Sequence, residues 1–487
     1  MTIRQISRVL STLLALVSVS TAWEASWDSL DKRPIPGWYD EAKFGIFLHW
    51  GVFSVPSFGS EWFWSYWKGC WSDNCREYQD FVNRTERPNF DYQEYAHRFK
   101  AELYRPDYFA DVFAKSGAQY VVLTSKHHEG FCNWDSRDVA TTWNWNAMDI
   151  GPRRDILGDL ALAVKNASSS QTQNPLKFGV YHSLYEWFNP LFAQDRASNW
   201  TEQNFVNLKT MPELYDLVKK YEPEIIWSDG EWEATSEYWK STEFLAWYAT
   251  NSSVAKTAVF NDRWGSDTLC KHGGVLTCTD RYQPGAIQHH KWENALTIDS
   301  TSWGFNRNAS YSDYLTTEYF VHQLIETVAF NGNILLNVGP GADGTLSPIF
   351  VDRLLGIGDW LSVNGPAIYK SRPWDVCQNE TKANVYYTTN QETETLYAHF
   401  LTWPSRSILH LDYPVATSDT EIRMLGLGER QEMIQWSALG DGGDDSRMAI
   451  QLPQLTPANI PCQHAWVLAI TNITNFKGSA SFATAER

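Results

Sequence analysis

Basic charge is in short supply in this chain. Forty lysines and arginines stand against 57 aspartates and glutamates, a formal charge of -17 over 487 residues. That balance leaves neither nucleic acid nor an anionic membrane the basic patch it needs, so neither is expected as a partner. Long apolar runs are missing as well. Past the first 22 residues nothing approaches the roughly 20 apolar residues that cross a bilayer. There is no internal repeat and no low-complexity stretch, which sets repeat arrays aside. No His-Glu-x-x-His spacing or third ligand accompanies His127-His128, so no metal is expected, and no cofactor either. Seven cysteines are an odd number, and at this length disulfides are accessories to the fold rather than its main support.

A nucleotide site is also missing, despite a match to its signature. Gly339-Pro340-Gly341-Ala342-Asp343-Gly344 fits G-x-G-x-x-G after a strand-like run. A dinucleotide site needs its third glycine inside the helix that cradles the pyrophosphate. Here Thr345-Leu346-Ser347 intervenes before a helix expected from Pro348 to Val363, and Pro340 removes an amide. A loop after a barrel strand is the better reading.

Residues 1–22 read as a secretory leader, with Arg4 and Arg8 ahead of an apolar Val9 to Val19 and small residues at Ser20-Thr21-Ala22. Its removal takes two positive charges and no negative ones, leaving a charge of about -19. Sequons at Asn83, Asn166, Asn199, Asn251, Asn308, Asn379 and Asn472 fit a glycoprotein of the secretory pathway. An acidic surface suits an acidic lumen, so the expected destination is lysosomal or secreted. The expected disulfides are Cys70–Cys75, Cys270–Cys278 and Cys377–Cys462 with Cys132 free, although spacing does not fix connectivity.

The richest segment is Ile225-Ile226-Trp227-Ser228-Asp229-Gly230-Glu231-Trp232. It reads as a buried strand that ends on a carboxylate walled by indoles, the place where a parallel barrel puts its chemistry. A sugar wants such walls, because its C–H face stacks on a ring while its hydroxyls seek polar partners. A surface Asp-Gly turn is the plainer reading, and a Trp on each side disfavours it. The same strand-then-polar pattern recurs at Phe44 to Trp50, Tyr120 to Phe131, Phe178 to Ser183 and Val259 to Trp264. Helical patterns lie between, as at 108–116, 155–166 and 210–221. The alternation predicts an α/β fold, a (β/α)8-like barrel. From Trp374 on, short alternating segments at 383–388, 396–401, 407–411, 421–425, 448–452 and 465–473 predict an antiparallel β-sandwich. The expected organisation is a leader (1–22), a catalytic barrel (23–372) and a C-terminal sandwich (373–487).

In this order, Phe-Gly-Ile-Phe-Leu-His-Trp-Gly, Ser60-Glu61-Trp62, Lys126-His-His-Glu-Gly-Phe, Trp-Ser-Asp-Gly, Asn261-Asp-Arg-Trp-Gly and Asn333 to Pro340 resemble glycoside hydrolase family 29, the α-L-fucosidases, most closely the animal lysosomal and secreted type. The resemblance implies a retaining glycosidase with Asp229 as nucleophile and an acid/base on the loop after Asn-Asp-Arg-Trp-Gly. Bacterial members carry a Glu there just ahead of a Tyr. This chain offers Asp280, two residues before Tyr282, and Glu293 is the alternative. The resemblance places His49, Glu61, Trp62, His127, His128 and His182 on the sugar hydroxyls. It makes Trp227 and Trp303 apolar wall, and sets Arg263 beside the carboxylates. Tyr181 is the competitor of His182 for the inward position. A retaining pair sits about 5–5.5 Å apart. Fucosylated glycans are the expected substrates and a homotetramer the expected assembly. A fucose-binding protein that has lost catalysis, or an enzyme for a slightly larger sugar such as an α-L-galactoside, are the other readings.

Overall fold

The structure is a computed structural model describing residues 22–70, 74–139, 144–428, 433–438 and 447–476. The expected leader, up to residue 21, lies outside these residues. Seven strands form one parallel sheet: β1 (Phe44–Leu48), β2 (Tyr120–Lys126), β3 (Lys177–Ser183), β4 (Ile225–Asp229), β5 (Val259–Phe260), β6 (Trp292–Thr297) and β7 (Gly332–Val338). They are ordered β5-β4-β3-β2-β1-β7-β6. Nearly every residue in them is buried, because helices cover one face and side chains fill the other, so the strands read as continuous rather than alternating apolar runs.

Two residues close the ring. Val275 N–H donates to Phe260 O (3.0 Å), Leu276 N–H to Lys291 O (3.0 Å) and Glu293 N–H to Leu276 O (2.9 Å). Val275 and Leu276 thus stand between β5 and β6 as a rudimentary eighth strand. Inside the ring, Gly45 on β1 faces the Tyr120 ring so closely that a Cβ would sit 2.2 Å from it. Only glycine lets that phenol cross the barrel.

The expected helices appear at Pro106–Lys115, Ile156–Lys165 and Met211–Tyr221. Asp155 caps the second by accepting from Gly158 N–H. The helix Pro348–Asn364 begins on its proline as expected, but the Ser347 side chain makes no cap hydrogen bond and Gly365 runs on into a 3-10 turn with φ -48°.

The C-terminal region holds two antiparallel sheets. One carries Arg372–Pro373, Asn379–Glu380, Val385–Asn390, Thr395–Phe400, Ala416–Met424 and Trp466–Ile473. The other carries Ile408–Leu411, Trp436–Ala438 and Met448–Gln451. Leu396, Ile422 and Leu468 of the first share a core with Leu409, Met448 and Ile450 of the second, the packing of a sandwich. Trp360 Nε1 donates to Ala465 O (2.9 Å) and Thr388 Oγ1 to Ala367 O (2.8 Å), tying the sandwich to the barrel.

Cys70–Cys75 and Cys270–Cys278 are bridged and Cys132 is a buried thiol. The expected Cys377–Cys462 bridge is absent. Cys377 belongs to the sandwich core, while Cys462 lies beside Asn364 of the last barrel helix, and each thiol donates instead to a nearby carbonyl. Six sequon asparagines are exposed and Asn379 is half-buried. No helix among the described residues is long and apolar enough to cross a membrane.

Candidate active site

All the polar strand ends open at one rim, because every strand of a parallel barrel runs the same way. Asp229 closes β4, and Gly230 behind it takes φ +82° with its Cα against the Tyr185 ring. This left-handed step turns the chain within one residue. Tyr181 Oη donates to Asp229 Oδ2 at 2.6 Å, and Arg263 Nη1 donates to Oδ1 at 3.2 Å. The other arm of Arg263, Nη2, donates to Asp280 Oδ1 at 2.7 Å, while Nε donates to Thr277 Oγ1 at 3.0 Å. One guanidinium therefore spans both carboxylates. Its plane also lies over Trp227, 4.7 Å from the ring centroid. Burial pushes the Asp229 carboxyl above its ordinary range, with Arg263 and the Tyr181 hydroxyl opposing it.

The loop bearing Asp280 is anchored from within. Asp262 accepts from Thr277 N (3.0 Å), Cys270 N (2.8 Å) and Cys278 N (3.2 Å), gathering both ends of the Cys270–Cys278 bridge. Neighbouring Asn261 accepts from Ser228 N–H and Oγ–H on β4. The Asn-Asp-Arg run thus orients three different parts of the site. Asp280 itself stays 44% exposed at the mouth.

Three histidines share one mode of attachment. His49 meets Asn337 Oδ1 through Nδ1 (2.8 Å), His127 meets Glu129 Oε2 (3.2 Å) and His128 meets Ser183 Oγ (2.7 Å). Asn337 Nδ2 donates to Thr297 Oγ1 and Trp303 O, and the Ser183 hydroxyl donates to Tyr185 O. Both partners therefore accept from the imidazole, which puts the proton of His49 and of His128 on Nδ1. Their Nε2 atoms remain for a ligand, and that of His128 lies 3.5 Å from Asp229 Oδ2. Burial, then the neighbouring His127, lowers His49 to about 4 and His128 well below the ordinary value, so neutral rings with a bare acceptor face the site. Glu61 Oε2 accepts from Trp303 N (2.9 Å) and Gly304 N (3.2 Å), which leaves its second oxygen to a ligand.

Aromatic rings make the walls. Phe47 packs on Trp227 (5.1 Å), Trp303 on His49 (5.2 Å), and Trp62 on His128 (5.0 Å), Trp187 (5.5 Å) and Trp232 (6.0 Å). Neutral acceptors, carboxylates and indole faces in one mouth fit a neutral polyhydroxylated ring better than an anion.

Two expected residues stand elsewhere. His182 lies on the opposite face of β3 from Tyr181, with Nδ1 on Ser125 Oγ (2.9 Å) and Nε2 3.7 Å from Glu213. Strand alternation sends neighbours to opposite faces, and Tyr181 takes the inward one. Glu293 sits at the start of β6, deep in the barrel, accepting from Tyr39 Oη (2.5 Å), Tyr120 Oη (2.9 Å) and Trp227 Nε1 (3.0 Å). It supports Trp227 from below. One residue went unread in the sequence: Glu231, two beyond Asp229, is buried with Oε2 lacking any hydrogen-bond partner among the described residues. Burial, then the Asp229 charge, pushes its carboxyl up to about 7. A second carboxylate so close to a strand-end carboxylate was the available signal. No group of three or more His, Cys, Asp or Glu among the described residues could hold a metal ion.

The chain matches the family described as Alpha-L-fucosidase over residues 12–366 and the Alpha-L-fucosidase C-terminal domain over residues 378–471. It is 48% identical to an Alpha-L-fucosidase of Branchiostoma floridae over 466 residues, 95% of this chain and 99% of that one. It is 47% identical to the Plasma alpha-L-fucosidase of Homo sapiens over 455 residues, 93% of each chain. The Tissue alpha-L-fucosidase of Homo sapiens is 46% identical over 447 residues, 92% of this chain and 91% of that one. Among solved structures, Thermotoga maritima alpha-fucosidase in complex with fucose superposes with a TM-score of 0.73 at 29% identity, covering 92% of this chain and all of the other. The chain belongs to the α-L-fucosidase family.

Proposed function

We propose that the α-L-fucosidase activity of this chain runs by double displacement, with Asp229 as nucleophile and Asp280 as acid/base. The observation that carries this reading is the single Arg263 guanidinium shared by the two carboxylates, one buried and one at the mouth. Asp229 attacks the anomeric carbon as the C–O bond to the leaving group breaks, and Asp280 gives its proton to the departing oxygen. A fucosyl ester on Asp229 results. Asp280, now a base, takes a proton from water, whose oxygen displaces the ester and releases L-fucose with retained configuration. Arg263 and Tyr181 hold the Asp229 carboxylate in place, and Arg263 meets the charge that Asp280 carries once its proton has gone. His49, His127, His128, Glu61 and Trp62 receive the hydroxyls, and Phe47, Trp227 and Trp303 receive the apolar face and methyl group.

The substrates are terminal α-L-fucosyl units of glycoproteins, glycolipids or oligosaccharides. The leader and the sequons support a secretory-pathway protein, lysosomal or secreted, and the family resemblance supports a homotetramer. Residues 23–372 are the catalytic unit and 373–487 the C-terminal unit of this reading.

The test is hydrolysis of an aryl α-L-fucoside near pH 5 by the mature chain and its Asp229→Asn variant. Turnover that vanishes in the variant, with α-L-fucose as the first product, is expected. Turnover by neither protein with fucose still bound would favour the lectin-like reading, and β-L-fucose as first product would overturn retention.

A further inference from the structure

A cavity of about 570 Å³ lies in the C-terminal sandwich, in a part of the chain that contributes no residue to the catalytic mouth. Trp403 and Trp466 form two of its walls, with Ser407, Gln451, Gln454 and Leu455 around them. The two indoles meet nearly at right angles, 78° apart with centroids 5.2 Å away, and make a corner rather than a flat patch. The corner is preformed: Phe400 packs on both rings, and Trp403 Nε1 donates to Ser407 Oγ at 3.2 Å. Gln451 Nε2 donates to Ser407 O (3.1 Å), and the exposed Gln454 side-chain amide has no hydrogen-bond partner among the described residues.

Among the described residues no charged side chain lines this cavity, on a chain of formal charge -17. A phosphate, a nucleotide or a charged peptide finds nothing there to neutralise it. Indole faces beside amide and hydroxyl groups, which both donate and accept, match one ligand chemistry well. A neutral sugar ring offers a C–H face to the indole and hydroxyls to the amides. We infer that this corner is a second, non-catalytic glycan site that holds a neutral sugar residue of a glycoprotein substrate. This rests on the reading of the enzyme as acting on fucosylated glycans. A glycoprotein that carries several glycans can be held here by one while another enters the catalytic mouth, which raises the effective concentration of the second and favours large substrates over small ones.

The test uses the full mature chain carrying Asp229→Asn, so that nothing bound is cleaved, with the catalytic pocket saturated by free L-fucose. Binding of an unfucosylated N-acetyllactosamine tetrasaccharide is followed by saturation-transfer NMR. Binding is expected to persist under fucose, and Trp403→Ala to weaken it roughly tenfold, the effect of losing one stacking ring. Gln454→Ala, an exposed change that spares the core, should weaken it about threefold through one lost hydrogen bond. In the otherwise native enzyme, both changes should raise KM for a fucosylated glycoprotein and leave aryl fucoside hydrolysis unchanged. Absence of tetrasaccharide binding, its loss under fucose, or equal binding by both variants would overturn the inference. So would a fall in assembly mass in Trp403→Ala without any change in sugar binding, which would make the corner a contact between copies. Failure of the catalytic reading shows separately, as no aryl fucoside hydrolysis by the native chain.

Discussion

Arg263 reaches Asp280 at 2.7 Å with the Nη2 arm while its Nη1 arm holds Asp229 at 3.2 Å. Only a planar fork can serve two carboxylates and a ring face at once, whereas an ammonium is a single point charge. Arg263→Lys should therefore fold but lose its bridge. A drop in kcat of about 100-fold on aryl fucosides is expected, the scale of losing one preorganised electrostatic partner. A variant within threefold of the parent enzyme would show that the bridge is incidental to catalysis.

Asp280 and Glu293 can be separated by leaving group. Asp280→Asn should lose far more activity on natural glycans than on fucosides with activated aryl leaving groups, which depart without a proton. Glu293 accepts three hydrogen bonds beneath Trp227, so Glu293→Gln should depress both substrates alike and cost about 1–3 kcal/mol in stability, read by thermal melting. If Asp280→Asn hydrolyses activated substrates as poorly as natural ones while Glu293→Gln spares the activated ones, the roles are reversed.

Glu231 gives the site an alkaline weakness. Its buried Oε2 has no donor among the described residues to stabilise a charge, and burial with Asp229 nearby raises its carboxyl to about 7. A carboxyl raised on folding contributes stability that is fully present below the unfolded value near 4.5 and is lost as pH rises through about 7. The whole effect is on the order of 3 kcal/mol. Glu231→Gln stays neutral, so its melting temperature should fall less between pH 5 and pH 8 than the parent's, and the alkaline limb of kcat/KM should move upward. Superimposable pH profiles for the two proteins would remove Glu231 from this role.

The parallel strands and the carboxylate at the end of β4 were legible because buried strands have a strong compositional signature and catalytic barrels deliver chemistry at strand ends. Orientation was harder. Both faces of β3 are buried, so Tyr181 and His182 carry no polarity contrast to say which points inward. Val275-Leu276 is too short to register as a strand, and Trp436–Ala438 was missed in the sandwich for the same reason. The Cys377–Cys462 pairing failed because cysteine identity says nothing about distance once two domains pack together. Glu231 stood inside the segment read for Asp229, and nothing in the sequence says whether a carboxylate two residues past a strand end turns into the site or out to solvent.

Behind the histidines lies an ion cluster with no exposed member, and it carries the last prediction. Lys126 Nζ contacts Glu186 Oε1 (2.9 Å) and Glu213 Oε2 (2.6 Å), and Lys209 Nζ contacts Glu213 Oε1 (3.0 Å). Lys126 directly precedes His127-His128, and Trp187 N–H donates to His128 O at 2.8 Å, so this cluster sets the backbone from which the sugar-facing rings project. Burial alone would raise the Glu213 carboxyl, but Lys126 and then Lys209 bring it down to about 2. A depressed carboxyl contributes stability present above its unfolded value and lost only as pH falls through the folded one, so the cluster is intact at pH 5. Lys126→Met leaves two buried carboxylates sharing one lysine, at an expected cost of about 3–5 kcal/mol near neutrality. Acid should partly relieve that cost, because an under-paired Glu213 takes up a proton readily. Calorimetric melting of both proteins at pH 7 and pH 4.5 should therefore show a deficit that shrinks on acidification. A deficit of equal size at both values would mean that Lys126 acts through packing of its stem rather than through its charge.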